Sequence, residues 1–295
     1  MAPIIDIIRH AEAAHNIQGS HLSDPGLTAE GRQQASRLAA AYPYGNQVAR
    51  IVASPMRRTI ETACRAFRRP IARGARITLL PELQEVNSSP SGTGSPAAVL
   101  REVFGEYIDT ALLGGEDWYL KGPDTPFAPD ATKVDDRARW ARIWLRDLAR
   151  SLAANSSASS SASTQRLTRS GGGGVGDEDR NELRIVVVTH GEFVHWLTGD
   201  FSGVSEHNNT GWRNAEVRSF RFAEGDGDDD ATLVETAQSV ERRGARSGLS
   251  PPQPTLAENM RLRDTAADRA EMHAIFAAEA EWEDVVEEAD AAAGP

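Results

Sequence analysis

Four short runs rich in Ile and Val govern what this chain can fold into: PIIDII (3–8), ARIVA (49–53), RITLL (76–80) and RIVVVT (184–189). Each is apolar almost throughout, as a strand covered on both faces must be, instead of alternating in polarity. Helical patterns separate them. TAEGRQQASRLAAAY follows the first run, MRRTIETACRAFRR the second, and segments near 95–107 and 132–154 the third. Alternation of strand and helix is the mark of parallel βαβ units. The expected fold class is therefore α/β, with a mostly parallel central sheet and helices on both faces. EVRSFRF (216–222) and ATLVET (231–236) alternate in polarity around the acidic turn EGDGDDD and predict an antiparallel hairpin at the sheet edge. Thr28 is read as the N-cap of the first helix and Pro55 as the opening of the second. In the 132–154 helix, Trp140, Trp144, Leu145 and Leu148 fall on one stripe, which is read as core.

The remaining sequence sets outer limits. The only cysteine, Cys64, excludes an intramolecular disulfide and fits a reducing compartment; within TIETACRAF it reads as a small buried hydrophobe. The opening MAPIIDII is interrupted by Asp6 and Arg9 too early for a signal peptide, and no run approaches the roughly 20 apolar residues of a membrane helix. A cytoplasmic protein is expected. A formal net charge of −11 argues against nucleic acid or an anionic membrane as partner, since both are held by clustered cations. A small phosphorylated substrate remains compatible, because a few converging arginines can oppose the global sign.

Residues 155–181 are Ser- and Gly-rich and read as a disordered insertion between helix and strand. Asp226 and Asp228 to Asp230 lack the spacing and closing Glu of a calcium loop. From 241 to 295 the chain turns polar: a linker, then an acidic Ala/Glu-rich helix over 256–290, whose Met260, Met272, Ile275 and Phe276 are candidates for docking on the domain or on a protein partner.

The candidate chemistry lies just past the strands. Arg9 and His10 follow the first run, Arg58 opens the helix after the second, Glu85 lies past the third, and His190 past the fourth. Loops leaving the carboxyl ends of parallel strands line one crevice, so these groups are expected together. Neutral imidazole is a nucleophile near pH 7, and guanidiniums bind phosphoryl oxygens in a fork. A second histidine, when protonated, adds a donor, and a carboxylic acid can protonate a leaving alkoxide. The helix after Ser54-Pro55 offers backbone N–H groups for the anion. A zinc site is the competing reading, since HAEAAH (10–15) and HGEFVH (190–195) resemble HExxH. Their histidines are five apart, however, and Glu stands two after the first, so both spacings fail.

These segments together resemble the histidine phosphatase superfamily, the phosphoglycerate mutase-like fold. RHAEAAHN is similar to its opening motif, placing Arg9, His10, Glu12 and Asn16; LTAEGRQQA (27–35) and SPMRRTIETA (54–63) resemble two further elements, the second selecting Arg58 over Arg57. PELQE (81–85) resembles the acid-bearing segment and VTHGEFVHWL (188–197) the one with the second histidine. NTGWRNAEVRSF (209–220) looks similar to a fungal-type group of phosphatases. The resemblance implies a domain over 1–240 and a metal-independent, cofactor-free phosphomonoesterase. In it His10 is phosphorylated and the phosphohistidine hydrolysed, Arg9, Arg58, Asn16 and His190 bind phosphate, and Glu85 is the general acid.

Two departures stand out. Ala11 replaces the usual Gly after the nucleophile, at a steric cost if that backbone needs positive φ. The segment after Glu85, VNSSPSGTGSPAAV, lacks the basic cluster of mutases, which favours hydrolase over a phosphoglycerate-type mutase. From another class, a catalytically weak interaction module is the alternative. His15 and His21 are candidates for the pocket rim or for simple solvation. His195 and His207 read as helix-face and loop residues, Glu12 and Glu192 as braces, and Trp212 and Arg213 as packing.

Overall fold

A computed structural model describes residues 2–161, 182–204, 210–223 and 229–245, with side chains at 157–161 and 245 left aside. Seven strands form one sheet: β1 (Ile4–Arg9), β2 (Val48–Ala53), β3 (Ile77–Leu79), β4 (Ile108–Asp109), β5 (Arg184–Thr189), β6 (Val217–Phe222) and β7 (Leu233–Glu235). Their order is β4-β3-β2-β5-β1-β6-β7. The five strands from β4 to β1 pair in parallel, while β6 and β7 complete the sheet antiparallel. The expected fold class holds, including the edge hairpin. Only the two-residue β4 has no counterpart in the sequence reading.

The helices are α1 (His15–Gln18), α2 (Ala29–Ala41), α3 (Arg57–Ala66), α4 (Arg68–Ala72), α5 (Ala97–Phe104), α6 (Ala131–Ser161), α7 (Phe193–Thr198) and α8 (Ala237–Ala245). One face of the sheet, with Ile8, Ile51, Ala53, Val186 and Val188, packs against Ile60, Ala63 and Cys64 of α3, Ile71 of α4 and Leu100 of α5. The other face, with Ile5, Ile7, Val52, Ile185 and Val187, packs against α6 and against Phe193, Val194 and Leu197 of α7. Cys64 is fully buried and its thiol pKa is raised by burial, as a structural cysteine requires.

Three local expectations change. Thr28 does cap α2, accepting from Gly31 N, but α3 begins at Arg57, two residues after Pro55. The α6 core stripe is built from Val134, Ala138, Ala141, Leu145, Ala149 and Leu152, while Trp140 is 46% exposed. Alanines let α6 lie close on the sheet, leaving the larger tryptophan no room on that face; Trp144 and Leu148 pack at its margin. Finally, α6 runs on through Ser161 and takes in the first seven residues (155–161) of the expected insertion. Extending an anchored helix costs far less than nucleating one. The rest of the insertion (162–181), His207 and the 246–295 segment lie outside the described residues, as do Asp226 and Asp228. Among the described residues, no helix is long and apolar enough to cross a membrane.

Candidate active site

β3, β2, β5 and β1 are neighbours and parallel, so their carboxyl ends open onto one crevice. A cavity of about 170 Å³ there is lined by Arg9, His10, Asn16, Arg58 and Glu85, with His15 beside them. His190 is packed against it, its ring centroid 5.4 Å from that of His10. All of the sequence-predicted site residues are thus brought together. A larger groove of about 650 Å³ along α2, β6 and α8 contains none of them, and the chemistry belongs to the smaller cavity.

His10 is fixed as β1 ends, its N–H bonded to Thr189 O (2.9 Å). Its ring Nδ1 lies 2.7 Å from Ala11 O. A carbonyl only accepts, so Nδ1 carries the hydrogen and Nε2 keeps the lone pair. Burial pushes the His10 pKa well below the usual histidine range, with Arg58, His15 and Arg9 adding to the effect. The imidazole is therefore neutral, with its lone pair on Nε2. Ala11 is fully buried with Ala13, Leu27 and Ala35, and its N–H donates to Thr62 Oγ1 (3.0 Å). Among the described residues only Asp24, Ala215 and Ala231 have positive φ outside glycine, so the steric cost considered for Ala11 does not arise.

The two guanidiniums are held from behind. Arg9 Nη1 donates to Trp212 O. Arg58 Nη1 donates to Ser91 O (2.9 Å) and Nη2 to His190 Nδ1 (3.0 Å). The Nε groups of both arginines are buried and meet no acceptor among the described residues. Two buried guanidinium N–H groups beside His10, with no acceptor among the described residues, suit a tetrahedral oxyanion. Gly191 lets Arg9 approach, since a Cβ there would sit 2.7 Å from its Nε. Arg57 is engaged elsewhere, with Glu61 (3.8 Å). His190 Nε2 contacts Ser54 Oγ (2.7 Å), so both of its nitrogens have protein partners; burial and Arg58 hold it neutral.

The N-terminus of α3 is not an anion site as expected. Asp24 Oδ1 accepts from Arg57 N (3.0 Å) and so caps the helix, while its Oδ2 accepts from Ser95 Oγ (2.6 Å). Glu85 is 8% exposed and accepts from Val86 N (2.9 Å) through Oε1. Burial lowers the pKa values of Arg9, Arg58 and Arg137, and the Glu85 carboxylate is the largest influence opposing that on each. The loop bearing it is clamped by two cations that the sequence reading missed. Arg137 Nη1 donates to the carbonyls of Gln84 (2.6 Å) and Glu82 (3.2 Å), and buried Lys121 donates to those of Glu85 and Asn87. Burial and Arg137 bring the Lys121 pKa down to about 7.

The residues assigned bracing or packing parts divide similarly. Glu12 accepts from Thr28 Oγ1 (2.6 Å) and Trp212 stacks on Phe220 beneath Arg218; Glu192 instead lines the cavity. His195 is 1% exposed and spans Asp200 O and Thr210 Oγ1, a buried link instead of an open helix face. His21 is exposed, whereas His15 lies within the cavity wall. Among the described residues no three His, Cys, Asp or Glu side chains are gathered as metal ligands.

The model of the histidine phosphatase superfamily (branch 1) matches residues 5–117, the segment that holds Arg9, His10, Asn16, Arg58 and Glu85. No curated protein matches the sequence. Solved structures similar to this chain include a mycobacterial glucosyl-3-phosphoglycerate phosphatase in complex with VO3, at 22% identity and TM-score 0.40, covering 80% of this chain and 97% of that one. Another is a phosphoserine phosphatase mutant of Entamoeba histolytica with phosphoserine, at 17% identity and TM-score 0.42, covering 79% and 95%. A putative alpha-ribazole-5'-P phosphatase of Escherichia coli is 15% identical with TM-score 0.43, covering 80% and 95%.

Proposed function

We propose that this chain, which carries a histidine phosphatase superfamily (branch 1) region over residues 5–117, is a phosphomonoesterase working through a phosphohistidine on His10. The observation that carries the reading is the His10 tautomer. Ala11 O holds the Nδ1 hydrogen, and the neutral ring keeps its Nε2 lone pair in a cavity that also holds Arg9 and Arg58. In the first step Nε2 attacks phosphorus, the N–P bond forms as the P–O ester bond breaks, and Glu85 gives its proton to the departing oxygen. In the second, water attacks phosphorus, Glu85 takes up a proton, and the N–P bond breaks to release orthophosphate. Arg9 and Arg58 neutralise charge on the non-bridging oxygens, and Asn16 adds an amide donor. His190 keeps Arg58 in place, its Nδ1 accepting from Arg58 Nη2 at 3.0 Å. Hydrolysis is favoured over phosphate transfer between hydroxyls because, among the described residues, the cavity lining contains no Lys or Arg beyond Arg9 and Arg58.

Hydrolysis of an aryl and an alkyl phosphate by wild type, His10→Ala and Glu85→Gln, each with and without chelator, tests this. His10→Ala should abolish turnover of both esters, and chelator should change nothing. Glu85→Gln should slow the alkyl ester by about 10²–10⁴ and the aryl ester much less, since a phenolate leaves without a proton. Wild-type rates matching those of His10→Ala would overturn the reading.

A further inference from the structure

His15 is a third imidazole in the cavity, and the proposed reaction does not use it. Its ring centroid lies 5.5 Å from that of His10. The proton position follows from the neighbours. Asn16 Oδ1 accepts from Ala13 N (2.9 Å), which fixes the amide, because a backbone N–H only donates. Asn16 Nδ2 then faces His15 Nε2 at 3.3 Å and makes it the acceptor. Burial, reinforced by Arg58 and Arg9, brings the His15 pKa down to about 3, so the ring is neutral with its hydrogen on Nδ1. Nδ1 is buried and finds no acceptor among the described residues. Such a donor is costly unless a ligand completes it.

Depth in the cavity says which part of a ligand does so. His10 is buried at the inner end, His15 is half-buried beside it, and Asn16 and Ser20 are at the exposed rim. A phosphoryl group on His10 therefore directs its alcohol past His15. Apart from Arg9 and Arg58, the described residues of the wall contribute no cation: Ser20, Asn87, Ser91, Thr210 and Glu192 line it, and among them is no aliphatic or aromatic hydrocarbon side chain. Arg9 and Arg58, the lining cations, are taken by the phosphoryl group.

We propose that His15 is a specificity-determining residue whose Nδ1–H donates to a hydroxyl of the leaving alcohol, and that the substrate is a small polyol carrying a single phosphate. This rests on the phosphohistidine reading. The experiment compares kcat/KM of the full chain for glycerol 3-phosphate and for n-propyl phosphate, which has the same carbon skeleton without hydroxyls. Wild type should prefer the glycerol ester. In His15→Phe the ratio of the two should fall about tenfold, the worth of one hydrogen bond. His15→Gln, which keeps an N–H donor, should recover part of it. His15→Ala reads the same ratio if the phenyl ring prevents folding. His10-dependent hydrolysis without ester preference in wild type, or a ratio unchanged in the variants, would overturn the role of His15 alone. Absence of His10-dependent hydrolysis of either ester overturns the phosphatase reading and this one with it.

Discussion

His10, His15 and His190 are all kept below the ordinary histidine pKa by burial first and by the Arg58 guanidinium second. That arrangement has a stability consequence. Below about pH 6.5 the unfolded chain protonates these rings while the folded chain does not, so unfolding takes up protons. Stability from this source is complete above about pH 6.5 and is lost as pH falls, by about 1.4 kcal/mol per pH unit for each ring. For His15 the loss continues down to its folded pKa of about 3. Urea denaturation at pH 7, 6 and 5 should show a shallower acid loss in His15→Gln than in wild type, by about one proton's worth. Identical slopes would mean that His15 is charged in the folded state. At this scale the sequence made Arg9, His10, Arg58, Glu85 and His190 legible, because each stands just past a recognisable strand. His15 could be offered for the pocket rim only beside the alternative of solvation, and Lys121 and Arg137 have no such address. Their places depend on how a loop folds back and on where α6 crosses the sheet.

A helix is only as well placed as its ends, and α3 carries Arg58 in its first turn. Met56, its N-cap residue, provides no capping side chain, and the task passes to Asp24, thirty-three residues before Arg57 and fully buried at φ +40°. No local signal marks such a cap, which explains why the sequence suggested an open, anion-binding helix end. Asp24→Ala removes the acceptor for both Arg57 N and Ser95 Oγ and puts a methyl where Asp or Asn tolerates positive φ. It should cost about 1–3 kcal/mol, read from the urea midpoint at unchanged m-value, while Asp24→Asn costs less. Arg58 should also lose register, raising KM for phosphate esters before kcat falls. Gly31 shows the reverse situation, in which a motif residue is explained by packing. A Cβ there would lie 1.9 Å from Glu12 O, so α2 can press on the loop after His10 only with glycine at that position. Large residues misled the reading of α6, where the periodicity of alanine, not of tryptophan, marks the inner face.

Across the whole molecule, strand and helix order was readable from periodicity, whereas the strand order was not, because β5 inserts between β1 and β2 from far along the chain. What secures that insertion is a buried ion pair. Arg184, at the start of β5, donates from Nη1 to both oxygens of Asp6 on β1 (3.0 Å each). Asp6 also accepts from Ser219 Oγ of β6 (2.6 Å) and from Tyr42 beside α2, and Arg184 stacks on Tyr44 at 3.4 Å. In the sequence Asp6 was merely an interruption of an apolar run; in the structure it joins three strands and a helix end. Both partners are nearly inaccessible, so removing one strands the other charge. Asp6→Asn and Arg184→Met should each destabilise by about 3–5 kcal/mol. The double variant should cost less than the sum, since no uncompensated charge remains. It should not return to wild type, because the Asn amide keeps a single oxygen and one of the Tyr42 and Ser219 hydroxyls then lacks its acceptor. Arg184 sits six residues before His190 on a strand, a distance of about 20 Å, so kcat/KM below the melting range should stay within about twofold of wild type. A fall in turnover parallel to the fall in stability would show instead that this pair shapes the cavity as well as the sheet.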